Sequence, residues 1–321
     1  MSVSRYARQQ ILPELGPEGQ AKLARSRVLV VGAGGLGCPV LQYLTGAGVG
    51  HVTLIDPDHV EETNLHRQPL YRMSDIGQPK VSAARTHLLA ANPEVEIDAR
   101  RAALTPANAP DLVAQADVVV DAADSYAVSY TLSDACLAAR KPLISASVLG
   151  QSGYAGGFCG PAPSLRAVFP APPDNAASCA TAGVFGPVVG TLGTFQAQMA
   201  LQVLLGIDTP MGRLVTLDMS TLSFGGFTFE GATEPAEPIP FIAAGMLTPR
   251  DRIIELRDVA EAPCPVMPDA ARMSPQAASR LTAPEGGRLV LACTTGLRAW
   301  RVAEALRSQG ETRLALMAAP A

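Results

Sequence analysis

The stretch Val28-Leu29-Val30-Val31-Gly32-Ala33-Gly34-Gly35-Leu36-Gly37 decides the fold. Its first four residues are a short continuous apolar run, the pattern of a strand buried on both faces of a parallel sheet. Gly32, Gly34 and Gly37 follow at GxGxxG spacing, and Leu36 to Ala47 reads as an apolar helix. A strand that turns on glycines into a helix brings backbone amides and the positive end of the helix dipole to one point, which suits phosphate. The next strand, His51 to Ile55, ends at Asp56, an acid placed to bind ribose hydroxyls. Pro79 to Ala91 is helical, with Lys80 in its first turn and Asn92-Pro93 as its stop. Val118 to Val120 is a third buried strand ending in acid, at Asp121 and Asp124, and Pro142 to Val148 is a further strand. Such alternation predicts an α/β protein with a doubly wound, mostly parallel, Rossmann-like sheet. Its ligands should lie beyond the carboxyl ends of the strands.

A chain of 321 residues has room for about two domains. Residues 1–230 are expected to form the nucleotide-binding domain. The proline- and acid-rich run from Glu230 to Pro240 reads as a linker, bounded at 231–244. Residues 245–321 would be a second small α/β unit, with strands at Ile253 to Leu256 and Leu289 to Ala292 and a helix from Ala299 to Ser308. Cys159 to Pro173, rich in Pro, Gly and Ala, is predicted to be a mobile loop. At 48% apolar and 17% charged residues the composition fits a compact protein and argues against disorder. The formal net charge of −4 gives no reason to expect a nucleic-acid or membrane partner. No run approaches the ~18 uninterrupted apolar residues of a membrane span. Six scattered cysteines form no disulfide framework, so the expected compartment is the reducing cytoplasm.

The glycine pattern and Asp56 alone fit NAD as well as ATP, and by themselves favour a nicotinamide-dependent oxidoreductase. The residues after Asp56 shift the balance. Arg67 and Gln68 follow closely, and Lys80 opens the next helix. Hydride transfer needs few cations at this place, whereas attack at phosphorus needs several, because negative charge accumulates on the phosphate oxygens. Asp124 is placed to hold Mg²⁺ through oxygen. Taken singly, Arg67 and Lys80 read as solvated surface charges and Asp124 as a helix cap. Taken together, on one side of the sheet, they point to phosphoryl chemistry.

The N-terminal two-thirds resembles the MoeB/ThiF/HesA family, bacterial relatives of the ubiquitin-activating enzymes. The resemblance rests on Arg5 to Gln9 (R-Y-A-R-Q), Val28 to Gly37, Tyr43 to Gly50 (Y-L-T-G-A-G-V-G) and Asp56 to Gln68 (D-P-D-H-V-E-E-T-N-L-H-R-Q). It continues through Ile76 to Lys80 (I-G-Q-P-K), Asp121 to Asp124 (D-A-A-D), Cys179 to Gly190 and Gly212 to Asp218, in family order. The resemblance implies ATP held by Gly35 and its neighbours, Asp56 on the ribose, and Asn64, Arg67 and Lys80 around the triphosphate. Asp124 resembles the acid that positions Mg²⁺. Arg8 resembles an arginine that reaches into a partner subunit's site, which implies a homodimer. The implied reaction is ATP-dependent adenylation of the C-terminal glycine of a small ubiquitin-like sulfur-carrier protein ending in Gly-Gly. Two departures stand out: Ser125 and Ser129 replace the family's asparagine and arginine. The zinc-binding Cys-x-x-Cys pairs of many members should fall near Ser164 and Ala167 and beyond Asp218. No cysteine stands there, so structural zinc is not expected.

Cys179 matches a family cysteine able to bond covalently to the carrier or its sulfur; the alternative is a small apolar residue packed at a helix start. Cys293 follows a buried strand in C-T-T-G-L-R, which resembles the rhodanese active loop C-x-x-G-x-R. Ile253 to Val259 is similar to that fold's first strand, and Met267 to Ala270 to a degraded His-Ile-Pro-Gly-Ala segment. The resemblance implies sulfane sulfur on Cys293 and its transfer to give a carrier thiocarboxylate. The shortness of this rhodanese-like unit leaves an inactive remnant as the alternative. For the whole chain the rivals are the nicotinamide-dependent oxidoreductase and a non-catalytic scaffold that docks a carrier.

Overall fold

The computed structural model describes residues 5–172 and 183–319. Helix α1 (Gly16–Leu23) precedes β1 (Arg27–Val31), which passes through the glycine turn into α2 (Gly37–Gly46) and β2 (His51–Ile55). The alternation continues with α3 (Lys80–Ala91), β3 (Glu96–Arg100), α4 (Ala109–Ala114), β4 (Val118–Asp121), α5 (Tyr126–Ala139) and β5 (Pro142–Leu149). The chain then folds back through β6 (Ser152–Cys159), a single turn α6 (Leu165–Val168), the long α7 (Gly186–Leu205), β7 (Arg213–Asp218) and β8 (Ser223–Thr228). These strands form one eight-stranded sheet in the order β3-β2-β1-β4-β5-β6-β7-β8. It is parallel from β3 to β5 and antiparallel from β5 to β8.

All four residues of β4, and all but the first of β1, are buried, because helices cover both faces of the parallel half. Strand order reverses between β1 and β4, and the carboxyl ends at such a switch point are the usual ligand position in open α/β sheets. Among the described helices α7 alone is long and apolar enough to cross a membrane. It instead packs against α1, α2 and the face of β5 and β6 as a core helix.

A second sheet is built from β9 (Arg252–Glu255), β10 (Ala271–Arg272), α8 (Pro275–Ala278), β11 (Leu289–Cys293), α9 (Leu297–Ser308) and β12 (Leu314–Ala318). Its four strands are parallel, in the order β10-β9-β11-β12, and β11 is wholly buried. The stretch between the sheets, read as a linker, is mostly exposed over residues 231–238 and packs down only near its end. Ile239, Phe241 and Ile242 are buried, and the Ile242 amide donates to the Leu316 carbonyl at 2.8 Å.

The mobile loop expected from Cys159 to Pro173 is not what forms over Cys159–Phe169. Cys159 is the buried end of β6, and Ser164 caps α6 by accepting the Ala167 amide. Arg166, 3% exposed, makes a paired contact with Asp134 at 2.6 and 2.8 Å. Composition marked the turns at Cys159 and Gly160, both at positive φ, but not the buried partners waiting for Ser164 and Arg166.

Candidate active site

The glycine loop after β1 lies directly on the turn after β4. Gly32 has φ +100°, and a Cβ there would come within 2.5 Å of the Ala122 carbonyl oxygen. A Cβ at Gly37 would come within 2.1 Å of the Gly32 carbonyl, so neither position admits a side chain. At Gly35 the same atom would meet Val189 of α7 at 2.5 Å and the Arg67 carbonyl at 3.3 Å, and at Gly34 it would lie 3.7 Å from the Gln68 amide nitrogen. The loop is pinned from outside. The Tyr71 hydroxyl donates to the Ala33 carbonyl at 2.7 Å, and the Ala33 amide donates to Asp56 Oδ2 at 2.7 Å. Asp56 Oδ1 accepts the Asp58 amide at 2.8 Å. Burial raises the pKa of Asp56, opposed by the charge of Lys80.

Lys80 is 6% exposed and ion-paired with Asp58 at 2.9 Å, so a solvated surface charge does not describe it. Arg67 is half-buried, donates to the Thr63 carbonyl at 3.0 Å and lies 2.9 Å from His66 Nε2. Asn64 is buried, and its Oδ1 accepts the Glu61 amide at 3.3 Å. Each of these three residues therefore has a protein partner of its own. Gln68 does not have all of its bonds made: it is 3% exposed, and its Oε1 lacks a partner among the described residues. A buried amide oxygen left open beside a glycine loop fits a ligand donor such as a ribose hydroxyl or an adenine amino group.

At the end of β4, Asp121 is fully buried. It accepts the Ser145 hydroxyl at 2.8 Å and the Ala123 amide at 3.2 Å, and its backbone carbonyl accepts Gln196 Nε2 at 2.6 Å. Burial pushes its carboxyl up to about 6 in spite of the bonds from Ser129 and Ser145. Ser129, the position where an arginine was expected, thus serves the buried acid. Asp124 is exposed at the same edge, just before the α5 cap Ser125. Among the described residues no three acids, histidines or cysteines gather as a metal cage. One open carboxylate suits Mg²⁺, which keeps waters and substrate phosphates as most of its ligands.

The remaining candidates lie elsewhere. Tyr6 and Gln9 anchor the N-terminal arm: the Gln9 amide donates to the Ala47 carbonyl at 2.8 Å, and Asn92 donates to the Tyr6 hydroxyl at 2.9 Å. Ala47 and Asn92 follow α2 and α3, at the amino ends of the strands. Exposed Arg8 is therefore at the opposite end of the sheet from its own glycine loop. Cys179 lies outside the described residues. Where zinc ligands were sought, Ser164 donates through its amide and hydroxyl to the Glu234 carboxylate at 2.6 and 2.5 Å, a donor set that does not suit structural zinc.

Cys293 ends β11 and is 1% exposed. Its sulfur accepts the Ala299 amide at 3.4 Å, from the first turn of α9, and Arg257 and Arg298 lie within electrostatic reach of it. Glu261 closes the turn by accepting from the Thr294 hydroxyl at 2.8 Å and from the Arg298 guanidinium. Sequence placed this cysteine at a strand-to-helix turn correctly but gave no sign that it is shut from solvent.

A glycine loop between β1 and α2, bonded to the acid that follows β2 at the switch point, makes this a doubly wound α/β protein with a candidate nucleotide site. The chain belongs to the ThiF family, whose model matches residues 6–236. It is 45% identical over 235 residues to a sulfur carrier protein adenylyltransferase of Thermus thermophilus, covering 70% of this chain and 87% of the relative. It is 43% identical over 233 residues to the adenylyltransferase and sulfurtransferase MOCS3 of Culex quinquefasciatus, covering 71% of this chain and 53% of that protein. The match thus spans about half the length of the MOCS3 relative. In fold it is similar to E. coli MccB bound to ATP, at TM-score 0.63 and 21% identity over 71% of this chain and 72% of that one.

Proposed function

We propose that this protein adenylates the C-terminal glycine of a ubiquitin-like sulfur carrier and then delivers sulfur to it. One observation carries the first step: the Gly32–Gly37 loop is bonded to Asp56 through the Ala33 amide and packed on the Arg67 backbone, in a chain 45% identical to a sulfur carrier protein adenylyltransferase. The carrier carboxylate attacks the α-phosphorus of ATP, the bond to the bridging oxygen breaks, pyrophosphate leaves, and a carboxyl-adenylate forms. Asp56 retains lone pairs for the ribose, and Gln68 Oε1 offers a further acceptor. Lys80 and Arg67 would exchange their present partners for phosphate oxygens, where their charge counts most in the transition state. Asp124 would hold Mg²⁺, which neutralises phosphate charge when bound. Arg8, facing away from its own site, supports a homodimer in which each arm serves the partner's site. A groove of about 630 Å³ lined by Leu149, Tyr154, Leu217 and Phe224 at the carboxyl end of β5 offers apolar surface for the carrier. A cytoplasmic setting is part of this proposal.

For the sulfur step, the rhodanese-like turn supplies Cys293. Its thiolate takes the outer sulfur of a sulfane donor, and the donor's remainder leaves with the bonding pair. The terminal sulfur of the persulfide attacks the adenylated carbonyl carbon, the carbon–oxygen bond breaks and AMP leaves. A dithiol then reduces the resulting acyl disulfide, freeing carrier thiocarboxylate and Cys293 while the dithiol becomes a disulfide. The burial of Cys293 favours a second possibility, a folded but inactive remnant, with Cys179 as the alternative covalent site. Thiocarboxylate formation by Cys293→Ser separates the two: loss of product supports the assignment, and product at the normal rate removes Cys293 from the path.

A further inference from the structure

We propose that the second unit serves the adenylate edge of its own chain, with Trp300 as the positioning residue that holds the Cys293 turn there. The inference rests on the adenylation and sulfur transfer proposed above. Gly296, three residues after Cys293, has φ +81°, and a Cβ on it would lie 2.5 Å from the Phe241 ring and 3.5 Å from the Ala127 Cβ. Ala127 is in the first turn of α5, three residues after Asp124. Three extended residues span at most about 11 Å, so neither Cys293 nor Asp124 can lie farther than that along the chain from this one contact. The flexible Gly-Gly end of a carrier is suited to such a gap.

The contact is fixed by a cluster drawn from both units. Trp300 of α9 packs against Tyr130 of α5 at 4.8 Å between centroids, with the ring planes tilted by 37°. The buried Arg166 guanidinium lies 4.8 Å from the Tyr130 ring and 5.2 Å from the Trp300 ring, with Asp134 neutralising it. Phe241 from the connecting strip closes the cluster at 6.0 Å from Trp300. A guanidinium between two rings, removed from water and ion-paired, holds its geometry more tightly than apolar packing alone. The Tyr130 hydroxyl donates to the Phe169 carbonyl at 2.8 Å and ties the α6 segment to the same point. The seam is therefore built as a fixed joint that holds the sulfur turn and the acid of the adenylation edge on the two sides of one contact.

The test mixes two full-length chains, Asp124→Ala and Cys293→Ser, co-purified through different tags. They are supplied with a ubiquitin-fold carrier ending in Gly-Gly, ATP, Mg²⁺, thiosulfate and dithiothreitol. Delivery within one chain predicts less than about one-twentieth of the wild-type thiocarboxylate, because no chain holds both functions. Product at about half the wild-type rate, the level expected of exchange between subunits, overturns the proposal. Pyrophosphate exchange by the wild-type chain is run alongside, and its absence would sink the adenylation assignment itself and this proposal with it. In addition, Trp300→Ala should lower thiocarboxylate formation about 10-fold while pyrophosphate exchange and sulfur loading of Cys293 stay within about twofold, and Trp300→Phe should restore most of the loss. If Trp300→Ala loses loading in equal measure, its role is structural and the positioning assignment fails.

Discussion

The molecule uses one local device twice, and the two copies end differently. In the large sheet β1 turns at Gly32 into α2; in the small sheet β11 turns through Cys293 and Gly296 into α9. Both turns carry a glycine at positive φ, +100° at Gly32 and +81° at Gly296, and both leave 2.5 Å for a would-be Cβ. The first turn is packed from below by Ala122 and remains flanked by an exposed Asp124 and an open Gln68 oxygen. The second is covered by Phe241 and Ala127 and latched by Glu261, leaving Cys293 almost without exposure. A strand–glycine–helix turn therefore specifies where backbone amides converge. What packs over it decides whether a ligand enters freely or only after a local opening.

The largest effects are expected at the open turn. Lys80→Ala or Asp124→Ala should each lower kcat for carrier-dependent pyrophosphate exchange by about 100-fold or more, as lost transition-state contacts do. Full exchange by either variant would remove that residue from the catalytic set, whereas a non-catalytic scaffold predicts no exchange at all and biological activity intact in both variants. Glycine substitutions sharpen the contrast between the turns. Gly32→Ala and Gly296→Ala should each cost about 2–3 kcal/mol of stability through positive-φ strain and the clashes described, measurable as a lowered Tm. Only Gly32→Ala should raise the KM for ATP. If Gly296→Ala raises it equally, the two turns are not functionally separate.

The smallest expected effect is a pH dependence seated beside the open turn. Asp121 has its carboxyl raised to about 6 by burial, above that of an unfolded aspartate. Between about pH 4 and 6 the folded chain holds a proton that the unfolded chain has lost, so stability falls as pH rises through this window. Above it, the cost of the buried charge is present in full. In urea titrations, Asp121→Asn should flatten that decline, and an unchanged pH profile would remove Asp121 as its source.

The parallel strands and the two turns were legible in the sequence because apolar runs and glycine spacing are local signals. Val28–Val31 matched β1 to within a residue, and His51–Ile55 is β2. Asp56 and Asp124 were legible because strand ends are where such acids fall. Tyr71, Val189 and Gln196 were not, since each reaches the site from a remote segment and carries no motif of its own. The pairing of Lys80 with Asp58 and the service of Ser129 to Asp121 were hidden for the same reason. Proline and glycine marked a loop at Cys159–Pro173, but only tertiary contact reveals that Arg166 is buried against Asp134, Tyr130 and Trp300.

Exchange of labelled pyrophosphate into ATP, with and without a purified ubiquitin-fold carrier ending in Gly-Gly, tests the central claim most directly. The account predicts exchange only when the carrier is present and its terminal glycine intact. Tight NAD binding without ATP binding, or no exchange with any such carrier, would contradict it.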